Sequence, residues 1–207
     1  MSVAAIVLAA GASRRMGRPK PLLDWGDRPL IVWELEQLLS SCVAEIVIVT
    51  GSTADDVRRA LGVAGARYCV FNPRWPQGRA TSLALGVRTL LARDRSLEAV
   101  VLQSVDQPTR ADIIDRLVDE LRRAHVPAVQ PGHVGRGGHP VVVSAELLPD
   151  LADAREATLG LRGVLERHPP HRLPMDDEPI VRVDMNTLEQ LAAARRLLGV
   201  GDGRAAG

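Results

Sequence analysis

The chain alternates between short, unbroken apolar runs and longer stretches with helical spacing. Residues 3–9 (VAAIVLA) form an apolar run bounded by Gly11, and 45–50 (EIVIVT) form another closed by Gly51. Runs of this length without polar alternation read as strands buried on both faces. Further strands are expected at 66–71 and 98–102. Between them, 29–41 places Leu30, Trp33, Leu35 and Leu38 on one helical face, with Pro29 suited to the first helical position. Helices follow at 53–61 with Thr53 as N-cap, at 79–92 after a breaker-rich loop at 72–78 (NPRWPQG), and at 110–124. The later pattern reads as a strand at 127–130, a glycine-rich loop at 131–139 and a strand at 140–143. Helices at 144–151 and 156–167, strands at 171–174 and 180–183, and a last helix at 187–198 complete it.

Strands and helices alternate over the first two-thirds of the chain. That predicts an α/β fold, a Rossmann-like three-layer sandwich with a mostly parallel central sheet. Ligands in such sheets bind in the crevice outside the carboxyl ends of the strands. The 207 residues fit one domain, expected over 1–198, with the Gly/Ala-rich 199–207 as a flexible tail.

The loop after the first strand carries the densest chemistry: Gly11, Ala12, Ser13, Arg14, Arg15, Gly17, Arg18 and Lys20. Successive backbone N–H groups in such a loop can form a concavity for phosphate oxygens. Arginine adds bidentate donors and lysine a compact point charge. Neither the G-x-x-x-x-G-K-[ST] nor the G-x-G-x-x-G spacing is present, so cationic side chains share the phosphate work with the backbone. Lys20 is the one lysine among 26 Lys+Arg residues, which points to a need for a primary amine there.

Three further segments fall where a ligand would bind. Gly78, Arg79, Ala80, Thr81, Ser82 and Leu83 open a helix whose unpaired N–H groups carry partial positive charge. Asp106 follows a buried strand in SVDQP; beside a triphosphate its carboxylate suits Mg²⁺, which takes one or two carboxylates plus phosphate oxygens. Asp184 and Asn186 lie two residues apart on an extended segment and so face one side, ahead of Thr187 as an N-cap with Gln190 at the box position. In GHVGRGGHP, His139 is open to either an acid–base or a structural role. No histidine spacing supports zinc, and 176–178 (DDE) reads as a solvated loop.

Composition narrows the class. A net charge of +1 gives no global basic field for nucleic acid, and a single Phe and a single Tyr argue against base stacking on aromatic platforms. Cys42 and Cys69 sit in apolar contexts and read as buried free thiols in a reducing compartment. Neither a signal-peptide pattern nor a membrane-length apolar stretch is seen, so the expected location is the cytoplasm, with no membrane partner.

Taken together, Leu8-Ala9-Ala10-Gly11, Ser13, Arg15-Met16-Gly17, Pro19-Lys20 and Leu22-Leu23 match the signature LAAGxSxRMGxPKxLL. The chain thereby resembles the MobA-like NTP transferases, most of all their molybdenum cofactor cytidylyltransferase branch, from residue 5 to about residue 191. The resemblance implies a fold of the nucleotide-diphospho-sugar transferase type. It implies nucleotide binding by Leu8, Ala9, Ala10, Gly11, Ala12, Lys20, Gly78, Ser82 and Asp106, and catalytic roles for Arg15 and Lys20. It places Mg²⁺ on Asp106 and on Asp184 or Asn186; the family's D-x-D-T-P-E-D is here Asp184, Asn186, Thr187 and Leu188, which leaves both residues in play, Asp184 favoured. Gly138-His139-Pro140 matches a G-H-P near the acceptor. The implied reaction moves CMP, or another NMP, from an NTP to a phosphorylated acceptor such as the molybdopterin cofactor, releasing pyrophosphate, with a molybdoenzyme or its chaperone as a further partner. Alternatives are an NAD(P)H-dependent oxidoreductase on the same scaffold, a cytidylyl- or guanylyltransferase with another acceptor, and a nucleotide-binding module without turnover.

Overall fold

The computed structural model describes residues 2–13, 16–93 and 96–201. In chain order, β1 (Ser2–Ala9) leads through the cationic loop to a small hairpin of β2 (Asp24–Trp25) and β3 (Arg28–Pro29). Then come α1 (Leu30–Leu39), β4 (Glu45–Thr50), α2 (Ala54–Ala66), β5 (Cys69–Phe71), α3 (Arg79–Arg93) and β6 (Leu97–Ser104). The second half holds α4 (Ala111–Ala124), β7 (Ala128–His133), β8 (Arg136–Gly137) and β9 (Val141–Ser144). It ends with α5 (Leu148–Ala152), α6 (Gly160–Arg167), β10 (His171–Pro174) and α7 (Leu188–Leu197).

The main sheet runs β10-β7-β9-β6-β1-β4-β5, with β8 paired to β7. β1 sits between β4 and β6 and is parallel to both. Only β9, set between β6 and β7, and the short β8 run against their neighbours. Successive β1 side chains point to opposite faces. Val3, Ala5 and Val7 pack with Leu30, Ile31 and Leu38 of α1 and Ile113, Ile114 and Leu117 of α4. Ala4 and Ile6 pack on the other side with Leu83, Val87 and Leu90 of α3 and Leu148 and Leu151 of α5. Two cores on two faces are why β1 is apolar from Val3 to Ala9. Full burial of each Ile or Leu contributes about 1.5–3 kcal/mol. The three layers, α/β/α with a mostly parallel sheet, match the expected class, and the carboxyl ends of β1, β4 and β6 open on one edge.

Several local expectations are corrected. The 66–71 strand shrinks to Cys69–Phe71 because α2 continues to Ala66 through a kink at Gly62 (φ 65°). The 131–139 loop is largely a hairpin: β7 runs to His133 and turns back through Val134 (φ 48°) and Gly135 (φ 73°), the two positive φ angles a tight two-residue hairpin needs. Residues 180–182 lie in a 3₁₀ turn, Pro179–Arg182, with Val183 as its extended C-cap, instead of a strand; Pro179 fixes a helical φ and lacks the N–H a ladder needs. Thr53 makes no cap bond, and Pro29 is itself the N-cap of α1. Cys42 is exposed and Cys69 half-buried; partial burial, reinforced by Asp115, raises the Cys42 thiol to about 11. In the acidic loop, Glu178 accepts two bonds from Arg110 at 2.6 and 3.0 Å, and Asp176 accepts the Val134 N–H at 2.6 Å, so it is a tether as much as a solvated surface.

Candidate functional site

Two cavities meet at the carboxyl edge of the sheet. The first, about 430 Å³, is lined by Ala10, Gly11, Ala12, Lys20, Gly78 and Asp106, among others. Its floor is the loop after β1. Ser52 anchors that loop, its N–H donating to the Ala10 carbonyl at 3.2 Å and its hydroxyl to the Gly11 carbonyl at 3.0 Å. With those carbonyls tied back, the loop keeps its shape. Gly51 makes the approach possible, since a Cβ there would lie 2.4 Å from the Ala10 carbonyl oxygen. Ser13 (φ 50°) accepts the Lys20 N–H on its hydroxyl at 2.9 Å, which fixes where the lysine side chain begins.

The Lys20 ammonium donates to Asp106 Oδ2 at 2.8 Å and to Asn186 Oδ1 at 2.8 Å. The Lys20 and Asp106 side chains are 12% and 24% exposed, so this is a part-buried cation between two oxygen donors brought from distant points of the chain. Backbone holds the donors in place. Met185, fully buried, donates its N–H to the Asp106 carbonyl at 2.9 Å. Asn186 and Thr187 both donate N–H groups to Gln190 Oε1, at 2.8 and 3.1 Å, and Gln190 returns a bond to Thr187 Oγ1, the expected capping box of α7. Asp184 turns elsewhere and accepts from the Gln107 side chain.

The opposite wall is the start of α3. Asn72, buried after β5, donates from Nδ2 to Thr81 Oγ1 and Ser82 Oγ, each at 2.9 Å. The Ser82 hydroxyl is thus engaged with Asn72 as it lines the cavity. Gly78 (φ 119°) lies against the Glu156 carboxylate, which accepts the Ala80 N–H. A carboxylate on this N–H satisfies one of the orphan donors at the helix start.

The second cavity, about 490 Å³, adjoins the first through Leu8 and Arg79 and continues over Leu83, His139, Val141 and Leu165. Its wall is mainly apolar. Burial, opposed by the nearby Asp184 charge and reinforced by Arg79, lowers the His139 pKa below its ordinary value, so the imidazole is neutral at pH 7. The His139 N–H donates to the Val181 carbonyl at 2.8 Å, which fixes the loop.

Of the residues singled out by sequence, Leu8, Ala10, Gly11, Ala12, Lys20, Gly78, Ser82 and Asp106 line the first cavity. Ala9 points into the core beneath it. Asn186 joins Lys20 and Asp106; Asp184 does not. Arg15 lies outside the described residues. Asn72, Glu156 and the cavity-bridging role of Arg79 escaped the sequence reading. Asn72 carried one signal, a polar residue at the end of a strand where a bare turn was expected.

Beneath the site, Glu34 of α1 is fully buried. Burial first, then the Asp106 charge, push its pKa well above the carboxylate range, while Gln103 beside it pulls slightly the other way. Neither carboxyl oxygen, nor either amide atom of Gln103, makes a hydrogen bond of normal geometry.

A family model for the MobA-like NTP transferase domain matches residues 5–173. Nicotine blue oxidoreductase of Paenarthrobacter nicotinovorans is 30% identical over 198 residues, covering 91% of this chain and 94% of that protein. Molybdenum cofactor cytidylyltransferase of Escherichia coli K12 is 29% identical over 160 residues, 74% of this chain and 79% of that protein. Among solved structures, Rv0371c of Mycobacterium tuberculosis H37Rv superposes with a TM-score of 0.75 at 27% identity, covering 96% and 98% of the two chains. A second structure of Rv0371c is a complex with manganese (TM-score 0.73, 24% identity, 95% and 99% covered).

Proposed function

The chain belongs to the MobA-like NTP transferase domain family, a nucleotidyltransferase family with the nucleotide-diphospho-sugar transferase fold, and on that premise we propose that it transfers CMP from CTP to a phosphorylated acceptor, releasing pyrophosphate. The convergence of Lys20, Asp106 and Asn186 supports this reading most directly. One cation and two oxygen donors beside a backbone-lined cradle form a set for binding a metal–triphosphate. The donor chemistry fits Mg²⁺: one carboxylate and one amide oxygen already converge on a positive charge. Asp106 and Asn186 would hold the ion, which when bound neutralises phosphate oxygens and orients them.

Ala10, Gly11, Ala12 and Ser13 cradle the phosphates, with Lys20 set to neutralise charge that grows on the leaving pyrophosphate and Arg15 assigned the same task. An acceptor phosphate oxygen forms the new bond to the α-phosphorus as the bond to the β-phosphate oxygen breaks. The attacking oxygen is already anionic, so no general base is required, and neutral His139 serves as a wall of the acceptor cavity. Positioning and charge stabilisation do the remaining work. Arg79, at the junction of the two cavities, lies where it can meet the acceptor phosphate. The likeness to the Escherichia coli cytidylyltransferase supports the molybdopterin cofactor as acceptor and a molybdoenzyme or its chaperone as the onward partner.

Pyrophosphate release with Mg²⁺ and each of the four NTPs, with and without molybdopterin cofactor, tests this. Release with CTP plus cofactor is expected; release with another NTP changes the base alone. The 91% span of likeness to nicotine blue oxidoreductase favours one second reading, NAD(P)H in the same cradle. Loss of nicotinamide absorbance without pyrophosphate release under any NTP would select it.

A further inference from the structure

We propose that Lys20 is a resident cation that holds the metal ligands together in the free protein and is exchanged for the divalent metal as the nucleotide arrives. This rests on the nucleotidyltransferase reading above. The ammonium stands between Asp106 Oδ2 and Asn186 Oδ1, 2.8 Å from each, in the space that a metal held by those two residues would need. A Mg²⁺ ion binds such oxygens at about 2.1 Å and cannot share that space with an ammonium, which it also repels strongly at this range.

Charge counting explains why the arrangement is stable. Of the two groups that Lys20 contacts, Asp106 carries a negative charge and Asn186 is neutral, so Lys20 balances the pair. A divalent ion in addition would leave the site with excess positive charge until a triphosphate brings anionic oxygens. Those oxygens also give the ammonium somewhere to go. The Lys20 backbone stays pinned by Ser13, while its flexible four-carbon stem lets the head group swing. Metal and nucleotide therefore enter together, onto ligands already in position. An asparagine in place of a second carboxylate is what lets one lysine suffice as the stand-in.

Mn²⁺ binding to the nucleotide-free protein, followed by electron paramagnetic resonance, tests the exchange without any turnover. Wild-type protein should bind Mn²⁺ weakly and Lys20→Met about tenfold more tightly, because the occupant is gone. Arg79→Gln removes a cavity-lining cation that is not seated on Asp106 and should leave Mn²⁺ affinity within about twofold of wild type. Lys20 is the chain's one lysine, so ¹⁵N-lysine labelling gives a single Nζ signal that needs no variant. That signal should hold its position with Mg²⁺ alone and shift when Mg²⁺ and a non-hydrolysable CTP analogue are added together. Unchanged or weaker Mn²⁺ binding by folded Lys20→Met, equal tightening by Arg79→Gln, or an Nζ signal that moves with Mg²⁺ alone would each overturn the proposal. Pyrophosphate release by wild-type protein is judged separately, so the exchange can fail with the transferase reading intact, and the reverse.

Discussion

The Met185 N–H donates to the Asp106 carbonyl at 2.9 Å, and this backbone bond sets the separation between the two arms of the proposed metal site. Met185 is buried, and its neighbours face apart: Asn186 toward Lys20, Asp184 toward Gln107. The pair should therefore separate on mutation. Asn186→Ala is expected to raise the Mg²⁺ concentration needed for half-maximal pyrophosphate release about 10–100-fold. Asp184→Asn, which keeps an oxygen for Gln107, should shift it by less than about threefold. The reverse order would return Asp184 to the metal.

Lys20→Ala is expected to lower turnover by about 10²–10³-fold while far-UV circular dichroism and thermal unfolding stay near wild type. Lys20→Arg should recover little, because a planar guanidinium cannot replace a compact ammonium seated between two oxygens. Near-wild-type turnover in Lys20→Ala would remove the lysine from the mechanism.

Asn72 supports the opposite wall. Asn72→Ala leaves Thr81 and the buried Ser82 without their common donor and should cost about 1–3 kcal/mol in urea unfolding. The KM for the NTP should rise more than kcat falls, since the start of α3 shapes binding. A variant with unchanged KM and reduced stability would confine Asn72 to a folding role.

Glu34 gives a pH dependence with a definite sign. Its folded pKa lies well above its ordinary 4.5, so the stability linked to its protonated form is complete below that value and is lost as pH rises through the folded pKa. Glu34→Gln, which cannot ionise, should match wild type near pH 4.5 and exceed it increasingly above, by up to about 1.4 kcal/mol per pH unit until the folded pKa is passed. Urea midpoints at pH 5 and pH 8 measure this. A constant difference between wild type and Glu34→Gln would mean that folding does not raise the Glu34 pKa.

The parts readable from sequence are those whose physics is local. β4 appears with the expected bounds because five consecutive residues, Ile46 to Thr50, are buried between two faces. The α7 cap appears because Thr187 and Gln190 lie three apart and satisfy each other. The hairpin of β2 and β3 was missed, since two-residue strands leave no periodicity to detect. The apolar run at 180–183 misled because Ile180 and Val181 are buried by a tight turn, and burial alone does not specify extended backbone. At the site, the loop after β1 was legible as a contiguous motif, whereas the contact of Lys20 with Asn186, and not with Asp184, spans 166 residues of sequence. Glu34 was invisible for the opposite reason. A glutamate in a helix is expected to face water, and only tertiary packing sets it under Asp106.

The residues lining the first cavity all precede Gln107, while most of those lining the second fall between Gln130 and Pro170, with Leu8 and Arg79 as the shared seam. The two cavities are thus written in separate halves of the chain. Drift over 130–170 that keeps Glu156 on the Ala80 N–H can remodel what the second chamber admits, while Asn186 stays on Lys20 and the phosphate grip of the earlier half is kept. A scaffold divided this way is free to change clientele while keeping its chemistry.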